Sequence, residues 1–577
     1  MKPKQYFLEP NISKQKQYEA LRAFYVEGLP ANEVAQEFGY SPLYFKKMRS
    51  EFVQQLNKEE NPFFQTLKTG PQKRFTDEIV IEKMIILRKQ NYSIQDIRMV
   101  LESEGYTISL DAINDILKAE GFAPLLRRTK AEKLGIKIPS KICSPQSCSL
   151  IVRDEIFFTE TGAGPLIFLP LIDKLGIVSA ILKANFPSTK KLDSVSSIMS
   201  FLALKIVGKQ RLSHDETWNL DRALGLFAGR NVLPKSATLS SYSYRVKRSQ
   251  NRKFLVELNQ IFSDTEMESG DFNLYFKTIP HWGDASVLEK NWSGLHSKTM
   301  KSVLALIVQD PSTSYLSYTN AEIKHQDQHE VVIEFVDFWI KSRGVAPKML
   351  IFDSKLTTYE NLDKLNQSPQ QIKFLTLRRR NKHLLKTVEK ISQWQSIKVK
   401  GKNRKHQIIK TFDSTCQINK YQGDLRQIIL TDHGHLKPTF MITNDFDASV
   451  QDLVKKYARR WLVEQEIAEQ IAFFHLNQLG SSIVVKVDFD LTMSLLTHNL
   501  YRVLSKDLPG FEQCTVPTLY RKFIENGARI QIEGDMITVF LKKKSHLPIL
   551  FELPWLNKNT HLSWLELNIQ FSVDTTS

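Results

Sequence analysis

Apolar residues recur at helical spacing through the first 120 positions and at strand spacing from about position 270, so the chain changes character along its length. Tyr18, Leu21 and Tyr25 form a helical stripe that Gly28-Leu29-Pro30 breaks. Val34, Ala35 and Phe38 continue it to a turn at Gly39-Tyr40-Ser41. Ser41 suits a helix N-cap and Pro42 the first helical position, so a third helix is expected from Leu43 to Phe52. The layout predicts a helix-turn-helix domain over 1–60, with Lys46, Lys47 and Arg49 on the DNA-reading helix. The pattern recurs over 70–123. A helix runs from Ile79 to Arg88, Ser93 and Asp96 make a capping box, and Ser109 caps a helix that Gly121 stops.

Residues 124–150 carry six basic residues and three prolines, the composition of a linker that could track phosphates. The 151–268 region has helical periodicity and reads as bracing or dimerisation, with Lys247, Arg248, Arg252 and Lys253 available to DNA. A domain over 269–510 then opens with strands at Phe272–Ile279, Ser302–Gln309 and Tyr315–Asn320. A helix at 328–341, a strand at 348–353, a helix at 359–366 and a strand at 372–377 follow. The order β-β-β-α-β-α-β predicts a multi-domain α/β protein whose mixed sheet is flanked by helices. A small β-rich insertion at 378–425 is expected to interrupt that sheet. Strands at 427–431 and 440–443 and a long helix at 449–475 come next, and 511–577 reads as a C-terminal tail.

Composition sharpens the picture at one point. The net charge of +17 and pI near 9.4 favour a polyanionic partner, because each neutralised phosphate releases counterions. Cys143, Cys148, Cys416 and Cys514 are too few for a disulfide framework in 577 residues and fit a reducing, cytoplasmic setting. No run of 18 apolar residues marks a membrane span, the start has no secretory h-region, and no Walker sequence cradles a phosphate.

The chemistry-bearing residues lie in the second half. The run Met349-Leu350-Ile351-Phe352 ends in Asp353, as a buried strand would if it delivered a carboxylate to its tip. Tyr457, Arg460 and Glu464 follow at steps of three and four, so they share one face of a helix. Separated carboxylates of this kind suit phosphodiester chemistry with two divalent ions roughly 3.5–4 Å apart. Such ions keep several waters and need only a few acids from distant segments. His281, His296 and His475 lack metal-ligand spacing, and Trp282, Trp292 and Trp461 could stack on bases but more often pack.

Asp353-Ser354-Lys355-Leu356-Thr357-Thr358-Tyr359, Phe374 to Arg380, and Tyr457…Arg460…Glu464 resemble the DDE transposases of bacterial insertion sequences. The likeness is to the group with a ribonuclease H-like core and a Tyr-Arg-Glu helix, and it covers roughly 150–500. It implies a DNA transposase in which three acids hold Mg²⁺ (or Mn²⁺) for strand cleavage and strand transfer. Asp353 would be the second acid and Glu464 the third, with Tyr457 and Arg460 on DNA phosphate. The first acid is expected within the first strand, where position 275 holds tyrosine; Asp271 and Asp284 flank it, and Asp284 is the candidate. The resemblance also implies double-stranded DNA partners, namely terminal inverted repeats and target. Joining two ends implies a homodimeric synaptic complex. A nuclease without strand transfer and a catalytically decayed, DNA-binding regulator are the alternatives.

Overall fold

The computed structural model describes residues 12–57, 63, 78–89, 92–122, 150, 153–189, 192–208, 218, 220–263, 270–280, 288–293, 298–400, 406–434, 436–474 and 484–575. At 78–79, 237, 263, 293, 400, 406–407, 461–472 and 484–485 it describes the backbone alone. The chain divides into two compact units, residues 1–78 and 79–577.

The first unit is built on three helices, Ser13–Tyr25, Ala31–Glu37 and Pro42–Asn57. Their apolar stripes meet in a core of Ala20, Leu21, Val34, Ala35, Phe45 and Met48. Gly39 turns the chain at φ +64°, and the Tyr44 amide donates to Ser41 Oγ at 3.2 Å, the cap expected from the sequence.

The second unit opens with another three-helix bundle, Glu78–Lys89, Ile94–Ser103 and Leu110–Ala119, closed over Val80, Met84, Ile97, Leu101, Ile113 and Leu117. Both halves of the Ser93–Asp96 capping box form, and Ser109 accepts from the Ala112 amide. Among the described residues no single helix is long and apolar enough to cross a membrane. Cys143 and Cys148 lie outside the described residues; Cys416 and Cys514 are free thiols.

A ten-stranded mixed sheet forms the centre of this unit. Strand β1 (Glu155–Thr159) belongs to a second sheet; β2 (Asp271–Pro280), β3 (Lys290–Ser293), β4 (Lys298–Gln309) and β5 (Leu316–Ile323) begin the main one. β4 runs antiparallel to β2, and β3 and β5 also pair with it antiparallel. The helix Val331–Arg343 then crosses to β6 (Met349–Phe352), and Tyr359–Gln367 crosses to β7 (Lys373–Leu377), both strands parallel to β2. Each crossover helix buries an apolar face on the sheet, as parallel pairing requires. Phe335 and Trp339, for example, lie against Phe272 with ring centroids 5.2 and 4.5 Å away.

The β-rich stretch after residue 378 does not interrupt the sheet. β8 (Gln395–Lys400), β9 (His406–Cys416), β10 (Leu425–Thr431) and β11 (Thr439–Thr443) form an antiparallel meander that lengthens it, β11 pairing directly with β7. Their alternation is visible in the sequence; which edge they join is a long-range choice.

The region after residue 511, expected as a tail, is a folded sheet in the order β1-β12-β13-β15-β14. Its strands are Ala528–Glu533, Met536–Leu541, Thr560–Leu562 and Leu567–Val573, with β1 contributed from over 350 residues upstream. The alternating burial of β12 and β13 is a strand signal that the sequence carries. Between the sheets lies a helical layer that includes Ile177–Ala184, Ser194–Ile206, Arg248–Ser263 and Val484–Asp507. The first three realise the helical character expected of 151–268.

Candidate active site

The parallel register of β2 and β6 sets Asp271 opposite Met349, Asn273 opposite Ile351 and Leu274 opposite Phe352. The pairing ends there; Asp353 follows β6 with an extended backbone, φ −80° and ψ 152°, while β2 continues through Tyr275. Asp353 is half-buried at the carboxyl end of β6, ahead of a short 3₁₀ turn at Ser354–Leu356, and Ser354 Oγ donates to its Oδ1 at 3.3 Å. The strand-tip carboxylate expected from the sequence is therefore present.

Alternation along β2 puts Asp271, Asn273 and Tyr275 on one face. Asp271 identifies that face, because its Oδ2 accepts from Lys456 Nζ at 2.7 Å, on the helix Val450–Phe473. Tyr457 on this helix is only 2 % exposed and packs with Met349, Ile351, Leu375, Leu453 and Val454. Arg460, 4 % exposed, lies 4.9 Å over the tyrosine ring, and its Nη2 donates to the phenol oxygen at 3.2 Å. In this structure neither side chain is exposed: Tyr457 faces the sheet, where the helix's apolar stripe must go, and Arg460 lies over its ring. Glu464 sits farther along the same helix, its side chain outside the described residues. Asp284, like Trp282 and His281, also lies outside them.

These placements bear on magnesium. Among the described residues no group of three His, Cys, Asp or Glu side chains could hold a metal ion. Asp353 is the only one of the three candidate acids whose side chain is described. The residue that follows the last paired position of β2 is Tyr275, and a phenol with a pKa near 10 is a poor ligand for a hard cation at neutral pH. Asp271 is four residues down the strand from position 275, on the order of 13 Å. It is also occupied by Lys456. The described residues at Asp353 therefore do not fit a two-magnesium site.

The chain is distantly similar in structure to a piggyBac transposase. The solved structure is a cryo-EM synaptic complex with hairpin DNA; the match has a TM-score of 0.37 and 12% identity, and covers 67% of this chain and 80% of that one. A likeness at that level carries no argument about the site. No protein-family model and no curated protein matches the chain.

Basic side chains mark a different kind of surface. At the carboxyl edge of the main sheet, Lys355, Arg379 and Arg380 are exposed, while Arg378 is engaged with Gln427 at 2.7 Å. In the first unit Lys46 and Lys47 project from the Pro42–Asn57 helix, Lys47 within 3.7 Å of Glu51. Arg49, expected beside them, instead stacks on Phe24 at 4.0 Å and braces the core; it sits one helical turn from Phe45, on the inner side. Leu43, 82 % exposed, and Tyr44, whose ring lies 5.7 Å from that of Tyr40, take the outward places and were missed by a search for charge. In the second bundle the last helix turns Asp111, Asn114, Asp115 and Lys118 outward, a face poorer in positive charge. Arg248, a candidate DNA contact, is instead paired with fully buried Asp488 at 2.6 Å. Trp292 is exposed on β3.

Proposed function

We propose that this chain is a DNA-binding protein of the transposase type. Its helix-turn-helix units engage the ends of a mobile DNA segment, the first through Lys46 and Lys47. A ribonuclease H-like sheet then meets the bound strand. The observation that carries this reading is the strand order β5-β4-β2-β6-β7, two antiparallel pairings followed by two parallel ones. Asp353 stands at the end of β6, and the helix that holds Glu464 runs over the same face. The basic excess and the exposed Lys355, Arg379 and Arg380 at that edge support a polyanionic partner. Two ends must meet, so a second copy of the chain is the natural partner.

In its catalytic form the reading asks Asp284 and Glu464 to join Asp353 around Mg²⁺, which would activate an oxygen nucleophile and stabilise the leaving oxygen. A second, non-catalytic form is favoured by one observation, that the strand β2 parallel to β6 carries a buried tyrosine, Tyr275, just past its last paired residue Leu274. It is a transposase-derived protein that binds DNA without cutting it.

The test uses the full chain and a labelled random duplex library, with bound sequences recovered, sequenced and re-incubated in Mg²⁺ or Mn²⁺. Sequence-selective binding that weakens with salt supports the reading. Nicking at a fixed position supports its catalytic form, and binding without nicking supports the second. A chain that selects no sequence and shows no salt dependence sinks both.

A further inference from the structure

We propose that the outer face of the five-stranded sheet is a stacking platform for a single strand of DNA, centred on Phe158, Arg529 and Phe540. The inference goes beyond the reading above, on which only the choice of DNA over RNA rests.

β1 is the edge of that sheet, paired with β12. Its residues alternate: Thr159 is buried and Phe157 packs against the core, while Ile156 and Phe158 point away from it. Phe158 is 75 % exposed, the most of any described phenylalanine. Edge strands are usually charged or covered, so a bare ring on one requires a reason. Phe158 stands opposite Arg529 on β12, and Arg529 stands opposite Phe540 on β13. The three form one outward row across strands about 4.8 Å apart. Within it the Arg529 guanidinium lies 3.9 Å over the Phe540 ring. The row is no spill-over of the core, because Ile530, Ile532, Ile537 and Val539 take the inner face of the same two strands.

Unpaired bases stack on aromatic rings and on guanidinium planes, and every base has a π-face to offer. In a duplex those faces are already stacked, so a flat row of rings suits a single strand. The rest of the outer face is polar rather than apolar. Arg529 Nη1 donates to Gln531 Oε1 at 3.3 Å, and Gln570 Nε2 donates to Thr538 Oγ1 at 2.9 Å. Charge is sorted along the strands. The Lys542 amide donates to the Gly527 carbonyl at 3.0 Å, so the ladder runs on past Phe540 and places exposed Lys542 on the outer face, with exposed Lys543 next in the chain. Glu160 and buried Asp574 are the acids at this end. Glu533, Asp535 and Asp154 gather at the other end, where Asp154 accepts from the Gly534 amide at 2.8 Å. The cations thus lie beside the rings, where the phosphates of a stacked strand would pass.

The experiment measures fluorescence anisotropy of a labelled oligothymidylate with the full chain. Phe158→Ala and Phe158→Leu should each weaken binding by roughly tenfold, the loss of one stacked base, and Phe158→Trp should retain it. Lys542→Ala with Lys543→Ala should reduce the slope of log affinity against log salt by about 1.4, the value for two phosphates on a single strand. Circular dichroism checks that each variant is folded. A folded Phe158→Ala chain that binds the oligonucleotide as tightly as the unaltered one overturns the proposal. So does a Leu variant that binds as well as Phe, since the ring would then be dispensable. Tighter, Phe158-dependent binding of oligouridylate overturns the assignment to DNA. A Phe158→Ala chain that changes its oligomeric mass but not its strand affinity overturns the site, making the face a contact between copies. Selective duplex binding without any strand binding defeats this proposal alone. Phe158-dependent strand binding in a chain that selects no duplex supports it and defeats the transposase reading.

Discussion

Asp488→Ala is expected to loosen the joint between the helical layer and the main sheet. Asp488 is fully buried on the helix Val484–Asp507 and accepts from Arg248 Nη1 at 2.6 Å, Asn251 Nδ2 at 2.7 Å and the Ala321 amide at 3.1 Å. Arg248 in turn donates to the Thr319 carbonyl at 3.0 Å and to the Tyr318 hydroxyl at 2.9 Å, and Tyr318 donates to Glu334 at 2.5 Å. One carboxylate thus ties two helices to β5. Burial by itself would lower the Arg248 pKa; the charge and hydrogen bond of Asp488 together with Tyr318 and Glu334 more than offset this and hold it above the ordinary value. Removing one member of a buried pair costs about 3–5 kcal/mol, because the other charge stays desolvated and unpaired. Taking about 4 kcal/mol, amide exchange within 248–263, 316–323 and 484–507 should speed up by roughly a thousandfold. Exchange read peptide by peptide is the right assay, since a chain with several cores does not unfold in two states. Arg248→Met with Asp488→Leu should recover most of the loss, as apolar replacement of a whole pair is near neutral. Acceleration below about fivefold in the single variant, or a double variant as loose as the sum of the singles, would refute the reasoning.

Other consequences are equally direct. Lys46→Ala with Lys47→Ala should weaken DNA binding and reduce the slope of log affinity against log salt by about 2, one per phosphate contact. Arg49→Ala should leave that slope unchanged and cost the first unit about 1 kcal/mol in thermal unfolding, through its lost stacking on Phe24. His498 is buried, and that burial pushes its imidazole from 6.5 down to about 4 while its Nε2 meets the Ser314 carbonyl at 2.8 Å. Unfolded chains therefore take up the proton first, so roughly 3 kcal/mol of stability is lost as pH falls from 6.5 towards 4. Replacing His498 with Gln should flatten that part of a denaturation-versus-pH curve. A methyl group at Gly164 would overlap the Ile524 carbonyl oxygen, so Gly164→Ala should destabilise the chain by about 3 kcal/mol or more in a thermal melt.

Much of the local structure could be read in advance, for reasons that particular residues make plain. Ser41, Ser93 and Ser109 act as caps because a cap needs only its own hydroxyl and an amide three residues on. The strand ending in Asp353 was legible because a short apolar run bounded by an acid has few other uses. Misreadings arose where charge was equated with exposure. Arg49 and Arg248 are cations with long stems, and each found a ring or a carboxylate to lie against. Tyr457 and Arg460 share the helical face predicted for them, but period alone does not say whether that face meets solvent or sheet.

By itself, then, the sequence determined the helices and their caps, most of the strands, the carboxylate at position 353 and the basic excess, all of which depend on neighbours within a few residues or on composition. Only the tertiary structure decided that β11 joins β7, that β1 completes a sheet with strands beyond residue 527, and that β2 lies parallel to β6 with Leu274 opposite Phe352. Those are matters of register between segments far apart in the chain. A shift of one residue would turn each strand's other face inward, and that choice is made by packing across the whole sheet.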